Sequence, residues 1–493
     1  MNILLVYPQY PETFWSFKHA LKFISKKAVN PPLGLITISS ILSKNWKKKL
    51  VDLNIEPLNN KDLLWADYIF ISAMNVQIKS ATEIIERCKS LNKKIVCGGP
   101  LFTEEPDNFD TVDFLILNEA ELTLPDFLND LKHGNPERIY QSDKFANLKN
   151  SPLPDYSLVR FSKYSTMNLQ LSRGCPFNCE FCDITALFGH KVRMKSTIQI
   201  LNELEAIYNT GWRKNVFFVD DNFIGNKIVL KNDLLPAMVN WMKSKNYPFT
   251  FSTEASINLS DDDELLELMM KAGFSTLFIG IETTELASLK ECGKVQNTNR
   301  DLIQSVHKIQ KYGFEVTGGF ILGFDNDHPS VFQNQVDFIR ESGIISAMVG
   351  LLNAPKKTML YKRLKHEGRI TSETSGNNTD FSLNFIPIMD KELLLNGYKK
   401  VINEIYQGKE YYKRVLDFIK RFTPNKINKE KITLIHLIAF FRSFVKLGIV
   451  DAYRKHYWVL FLWTLFHRPK LVPLAITYSV YGFHFRKIFK SVL

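Results

Sequence analysis

The sequence predicts an α/β protein in three parts: a doubly wound, Rossmann-like parallel sheet at residues 1–149, a partial (β/α)6 barrel at 150–390, and a helical region at 391–493. Three observations predict it. Short apolar runs alternate with amphipathic helical patterns over residues 1–130, as in a sheet covered on both faces. The alternation restarts over 165–370, after the proline-punctuated stretch NSPLPDY at 150–156. From about residue 390 the pattern turns helical, basic and aromatic. At 493 residues the chain is also too long for one ordinary core.

In the first part, NILLVY (2–7), KLVDL (49–53), DYIFIS (67–72), KIVCG (94–98) and DFLIL (113–117) read as buried parallel strands. Between them lie helical patterns such as 80–91, with Ile84, Ile85, Cys88 and Leu91 on one face. The strand ends are expected to carry the loops NPPLGL (30–35) and GGP (98–100). In the second part the strand candidates are 167–173, 215–220, 249–254, 276–282, 315–322 and 346–352. The helical pattern at 261–273 starts acidic, which suits the helix dipole, and Gly273 ends it. Six β/α units predict an incompletely closed barrel with ligand-facing groups at the C-terminal strand ends.

The N-terminus opens directly into a strand and shows no signal-peptide pattern, so a cytoplasmic location is expected. In that reducing compartment clustered cysteines more often bind metal than pair. Cys88, Cys97 and Cys292 are scattered and read as core thiols. The net charge of +12 is uneven: residues 411–493 carry 16 Lys/Arg against Asp417, Glu430 and Asp451, so the first 410 residues sum to about −1. A solvated basic face, nucleic acid or an anionic membrane would each fit that tail.

Cys175, Cys179 and Cys182 form C-x3-C-x2-C directly after the first barrel strand. A structural zinc site takes four protein ligands, and His190 is the nearest histidine that could complete one. Iron–sulfur clusters normally take four thiolates as well, and three would leave one iron of a [4Fe–4S] cube open to a ligand. This motif, in this place in a six-unit barrel, resembles the radical S-adenosylmethionine (SAM) superfamily. The resemblance implies a [4Fe–4S] cluster whose open iron chelates SAM, and an electron that cleaves SAM to a hydrogen-abstracting deoxyadenosyl radical. It places Phe181 near the adenine and Asp220, Asp221 and Asn222 near the SAM amino group. Glu254, Ser256 and Glu282 are placed at the ribose or carboxylate, and GGFILGF (318–324) along the adenine.

The first part is then similar to cobalamin-binding domains fused to such barrels, through PPLGL with Pro32 and Gly34, SAMNVQ with Ser72, GGPLFTEEP with Gly98 and Gly99, and NEAE with Glu119 and Glu121. Asn118 and Ala120 replace the glycines of the usual last motif, and the Asp-x-His-x-x-Gly signature is missing. Cobalamin is therefore expected without a histidine below the cobalt. PETFWSF, SRGCPFNCEFCDITALFG, VDDNFIGNK, TEASINL, FIGIET and MVGLLNAP resemble the branch containing hopanoid C-2 methylases. The expected activity is a cobalamin-dependent radical SAM methyltransfer to an unactivated carbon of a small molecule or a lipid such as an isoprenoid. The alternatives are radical cyclisation, oxidation or rearrangement, and a non-catalytic cobalamin- or redox-sensing protein. A methylthiotransferase would need a second cysteine triplet. The resemblance implies an electron donor such as flavodoxin or ferredoxin, and no nucleic-acid partner.

In the tail, 456–466 and 471–485 fall short of the roughly 20 apolar residues of a membrane span. Aromatic residues flanked by Arg and Lys suit an interfacial position, so peripheral contact with the inner membrane face is the expectation, with Trp458, Phe461, Leu462, Trp463 and Phe466 inserting. The tail would then be separable, and deletion of 452–493 should spare the cofactor sites. The competing expectation packs both helices over the barrel.

Overall fold

The computed structural model describes residues 1–377, 379–425 and 434–490. The first sheet contains β1 (Asn2–Tyr7), β2 (Lys47–Asp52), β3 (Tyr68–Ser72), β4 (Lys94–Gly98), β5 (Phe114–Ile116) and β6 (Ile139–Tyr140). They are parallel in the order β2-β1-β3-β4-β5-β6. Ile3 to Val6 are fully buried because helices cover both faces. The chain moves outward from β1 to β2 and then returns to the other side at β3. The crevice at this switch point lies beyond the C-terminal ends of β1 and β3. The predicted five strands gain a sixth, β6, whose two residues are too few to show a pattern.

The barrel follows: β7 (Met167–Leu169), the hairpin β8 (Ser172–Arg173) and β9 (Arg193–Met194), β10 (Asn215–Phe218), β11 (Thr250–Ala255), β12 (Phe274–Glu282), β13 (Glu315–Leu322) and β14 (Ala347–Leu351). Six of these strands form one parallel sheet in the order β14-β13-β12-β11-β10-β7, an open arc with β7 and β14 at its edges. The expected single strand 167–173 is split. The Asp220 carboxylate accepts hydrogen bonds from the backbone N–H groups of Leu171 and Ser172, drawing the chain out of the sheet and into the β8/β9 hairpin. The helix Asp263–Ala272 starts and stops as expected: Asp262 accepts from Leu265 N–H at 3.1 Å, and Gly273 takes φ +104°.

The tail helices complete the barrel. The hydroxyls of Tyr398 and Tyr406, on the helix Lys391–Tyr406, donate to Val349 O and Ala347 O on edge strand β14, at 3.0 and 2.6 Å. The last helix, Val472–Ile488, meets the N-terminal segment, where Phe485 stacks on Phe14 at 4.2 Å. Tyr478 and Phe485 belong to the same apolar core as the barrel. The expectation of a separable tail is therefore overturned: removing 452–493 would take out part of that core. Among the described residues no helix is long and apolar enough to cross a membrane. Lys426, Lys429, Glu430 and Lys431 lie outside the described residues.

Candidate active site

Cys175, Cys179 and Cys182 lie on the loop that leaves β8 at the mouth of the barrel. Gly174 starts it with φ +93°, and a Cβ there would stand 2.7 Å from Lys191 O and 3.0 Å from Gly189 O. The loop is pinned on both sides. Cys175 N–H donates to Gly189 O at 3.2 Å, Glu180 N–H to Cys292 O at 2.9 Å, and Leu360 N–H to Glu180 O at 2.9 Å. Gly174→Ala should combine a left-handed strain of about 1–2 kcal/mol with this collision. The expected outcome is a lower iron content per chain and an earlier denaturation midpoint, read on the same preparation.

All six cysteines are free. Burial raises the thiol pKa of Cys175, Cys179 and Cys182, and one nearby carboxylate adds to this at each, Asp221, Glu282 and Asp183 in turn. Among the described residues no three metal-ligating side chains converge on one ion. His190 is exposed. A [4Fe–4S] cube binds its three thiolates on three different irons, so one loop carrying three spaced thiols fits it.

Behind the loop, Phe181 packs into a small apolar cluster with Phe324, Leu352, Leu360 and Cys292; its ring centroid is 6.1 Å from that of Phe324. The glycines of 318–324 serve close approach: a Cβ on Gly319 would stand 2.8 Å from Phe278.

The barrel lumen holds the charges. Asp220 is buried, its oxygens occupied by the Leu171 and Ser172 N–H groups and the Ser172 hydroxyl. Burial, opposed by these bonds, pushes its pKa up to about 6. Asn222 accepts from Ser256 N–H at 3.2 Å, tying the ends of β10 and β11 together. Among the described residues Asp221 and Glu254 are not ion-paired; Asp221 bonds only to its own backbone. Burial and then Asp220 raise Asp221 to about 7; burial and then Asp221 raise Glu254 to about 8. Glu282 has φ +64° at an irregular β12/β13 register and binds Lys294 Nζ at 2.5 Å. Burial works against the Lys294 charge, but Glu282 and Cys179 hold its pKa above the ordinary lysine value. Nothing in the sequence around Lys294 signals this position. Lys294 is taken up by Glu282, so Glu254 and Asp221, which lie beside each other, leave a lumen suited to a cationic ligand.

Trp15, 41% exposed, meets Phe278 edge-on at 5.4 Å. Phe278 pairs in register with Glu254, so the N-terminal segment brings an aromatic wall to the lumen.

The first sheet meets this mouth with its C-terminal edge. Glu104 is buried beside Asn75, whose amide donates to it at 2.5 Å, and burial and then Asp183 raise its pKa to about 7. Asp183 directly follows Cys182. Lys357 Nζ donates to Thr103 O at 2.6 Å. Glu119 and Glu121 are engaged across the same interface: Glu121 binds Arg173 at 2.8 Å, and Glu119 binds Arg173 and Arg193 at 2.9 and 2.8 Å. Burial opposes the Glu121 charge, but Arg173 outweighs it and lowers the pKa. Gly98 and Gly99 are required by packing, since their Cβ atoms would lie 2.7 Å from Ile116 O and Ser72 Oγ. Pro32 precedes the helix Leu33–Ile41, and Gly34 in its first turn opens to free space, with no atom within 4 Å of a Cβ.

Residues 169–339 match the model of the radical SAM superfamily, and 358–493 match a domain of unknown function, DUF4070. A Synechocystis protein described as an uncharacterized methyltransferase is 39% identical over 490 residues, covering 98% of this chain and 91% of that one. Hopanoid C-2 methylase of Rhodopseudomonas palustris is 35% identical over 406 residues, covering 81% of this chain and 77% of its own. The fold is shared with the cobalamin-dependent SAM radical enzyme OxsB (TM-score 0.64, 16% identity, covering 100% of this chain and 81% of that chain). It is also shared with the radical SAM methyltransferase TsrM of Kitasatospora setae (TM-score 0.61, 12% identity, 99% of both chains). Residues 169–339 form a radical SAM domain, and the chain as a whole belongs to the family of the Synechocystis protein.

Proposed function

We propose that this protein is a cobalamin-dependent radical SAM methyltransferase acting on an unactivated, apolar carbon, on the branch of the hopanoid C-2 methylases. The observation that carries the reading is the meeting of two C-terminal strand edges, where Glu104 of the first sheet abuts Asp183 beside the cysteine loop. The residues fit the two groups. The loop offers three thiols for a cluster. In the crevice, Gly34 leaves open space, and Asn30 and Asn168 keep buried side-chain oxygens without a donor, as an amide-rimmed cofactor could use. When bound, the cluster supplies the electron that cleaves SAM, and cobalamin supplies the methyl group. An unactivated carbon lacks the nucleophilicity to attack SAM directly, which is why both would be required.

The chain's own residues have distinct tasks. Asp221 and Glu254 neutralise the ammonium and sulfonium of SAM. Phe181 and Phe324 keep water from the back of the loop. Pro32, Gly34, Ser72, Gly98 and Gly99 shape the cobalamin crevice, while Glu119 and Glu121 hold Arg173 and Arg193, fixing the loop against it. Trp15 and Phe278 offer an apolar substrate wall. Identity to two proteins whose names state methyl transfer favours this over radical cyclisation, oxidation or rearrangement.

Reconstituted protein is expected to bind cob(II)alamin with no nitrogen splitting from a protein imidazole in electron paramagnetic resonance. Lipid extracts from cells carrying the chain should contain a species heavier by one CH2 than in cells without it. S-adenosylhomocysteine should form in the reaction. Failure to bind cobalamin would remove the reading, and a product unchanged in carbon count would move it to the cyclisation class.

A further inference from the structure

The apolar surface of the tail is not where the sequence places it. On the helix Arg454–His467, Trp458 turns inward, donating its indole N–H to Gly448 O at 3.0 Å and meeting Phe444 edge-on at 5.3 Å. Phe461 packs on Phe440 at 5.8 Å, and Trp463 stacks on His467 at 4.6 Å. The helix Val472–Ile488 is largely core. Outside on Arg454–His467 runs the row Lys455, Val459, Leu462 and Phe466, spaced four, three and four residues apart on one face, with Leu465 exposed to its side. Phe466 is 78% exposed.

The neighbouring helix Leu434–Ser443, continued by the π-helical Phe444–Val450, carries a second row that the sequence reading missed: Leu437, Phe441, Val445 and Ile449. All four are exposed, Phe441 to 65%. At 1.5 Å per residue the row is about 18 Å long. Phe440–Phe461 and Phe444–Trp458 contacts run the two helices side by side, and both lie on Val472–Ile488 with their other faces. The two rows therefore share the outer side of a two-helix layer. Arg442 fastens that layer to the N-terminal segment, donating to Lys22 O and Ser25 Oγ at 2.6 and 2.7 Å.

Charge decides the occupant. Residues 434–490 contain nine Lys/Arg and a single acid, Asp451, which is itself paired with Arg486 at 3.1 Å. Lys446, Arg454, Lys455, Lys470, Lys487 and Lys490 are exposed. A second copy would bring a like-charged face and be repelled, whereas an anionic bilayer attracts the cations and accepts the apolar rows. We propose that this two-helix face docks the protein on an anionic lipid bilayer, with Phe441, Val445, Leu462 and Phe466 entering the acyl boundary and Lys446 and Lys455 at the headgroups. This goes beyond the reading of the active site and does not depend on it, and it gives a task to part of DUF4070.

The test is flotation of the full chain with vesicles of phosphatidylglycerol and phosphatidylcholine against phosphatidylcholine alone. Binding should require phosphatidylglycerol and weaken at least tenfold between 0.05 and 0.5 M salt without vanishing. Phe441→Asp with Phe466→Asp should cost at least tenfold in affinity at an unchanged melting temperature, and Lys446→Glu with Lys455→Glu should abolish the lipid preference. If the aspartate pair unfolds, Phe441→Ser with Phe466→Ser is read instead. Wild-type protein that does not float, or aspartate variants that float like wild type, would overturn the proposal. So would unfolding of both phenylalanine pairs, or a wild-type dimer that the aspartate pair dissolves.

Discussion

Alanine at Cys175, Cys179 or Cys182 is expected to abolish both the visible iron–sulfur absorbance of the reconstituted protein and its reductive cleavage of SAM. Three thiols on one loop leave no redundancy, and His190 is exposed to solvent. Cys292→Ala is the control. Its thiol is buried in the apolar cluster behind the loop, and only its backbone carbonyl, which alanine keeps, holds Glu180. Cys292→Ala should therefore retain the cluster while losing a little stability, about 1 kcal/mol for the lost packing. A triple alanine variant with full absorbance would refute the assignment of the loop.

The second large effect is expected at Glu254. Without ligand, burial and the Asp221 charge keep its pKa near 8, and Asp221 itself sits near 7. Both values lie above those of an unfolded chain. The stability these carboxyls support is thus fully present below about pH 4 and is lost as pH rises through 7 and 8. A sulfonium and an ammonium reverse the preference by favouring the ionised forms. SAM affinity should accordingly rise from pH 6 to above 8, and binding at neutral pH should release protons, seen by calorimetry as a heat that depends on the buffer. Glu254→Gln removes one ionic partner, worth about 1.5–3 kcal/mol, or roughly a 10- to 100-fold loss in affinity. It should also flatten the pH profile. A variant that binds SAM as wild type does, with the same proton release, would place the cation elsewhere.

The strands were legible because strands covered on both faces are near-continuous apolar runs, and NILLVY and EVTGGFIL match β1 and β13 residue for residue. The cysteine loop was legible because three thiols in eight residues have few structural uses. Features set by distant partners were not. Lys294 takes its place only when Glu282 is folded over it, and Trp15 only when β12 brings Phe278 against it. The split of 167–173 depends on Asp220, some fifty residues away. In the tail, the apolar periodicity of 456–466 showed a helix but not which face its neighbours would cover. That was decided by Leu434–Ser443 and its continuation Phe444–Val450, whose Phe440 and Phe444 claim Phe461 and Trp458.

The pairing of Glu119 and Glu121 with Arg173 and Arg193 bears on how such chains can be recombined. Two acids come from one sheet and two bases from the hairpin of the other, and all four side chains are at most 13% exposed. A foreign half without the matching charges would leave these side chains buried and unpaired, at about 3–5 kcal/mol for a broken buried pair. A chimera that joins this N-terminal sheet to a foreign barrel must import Arg173 and Arg193 with it, or neutralise Glu119 and Glu121. The two halves are thus coupled for recombination, although each has the outline of an independent module.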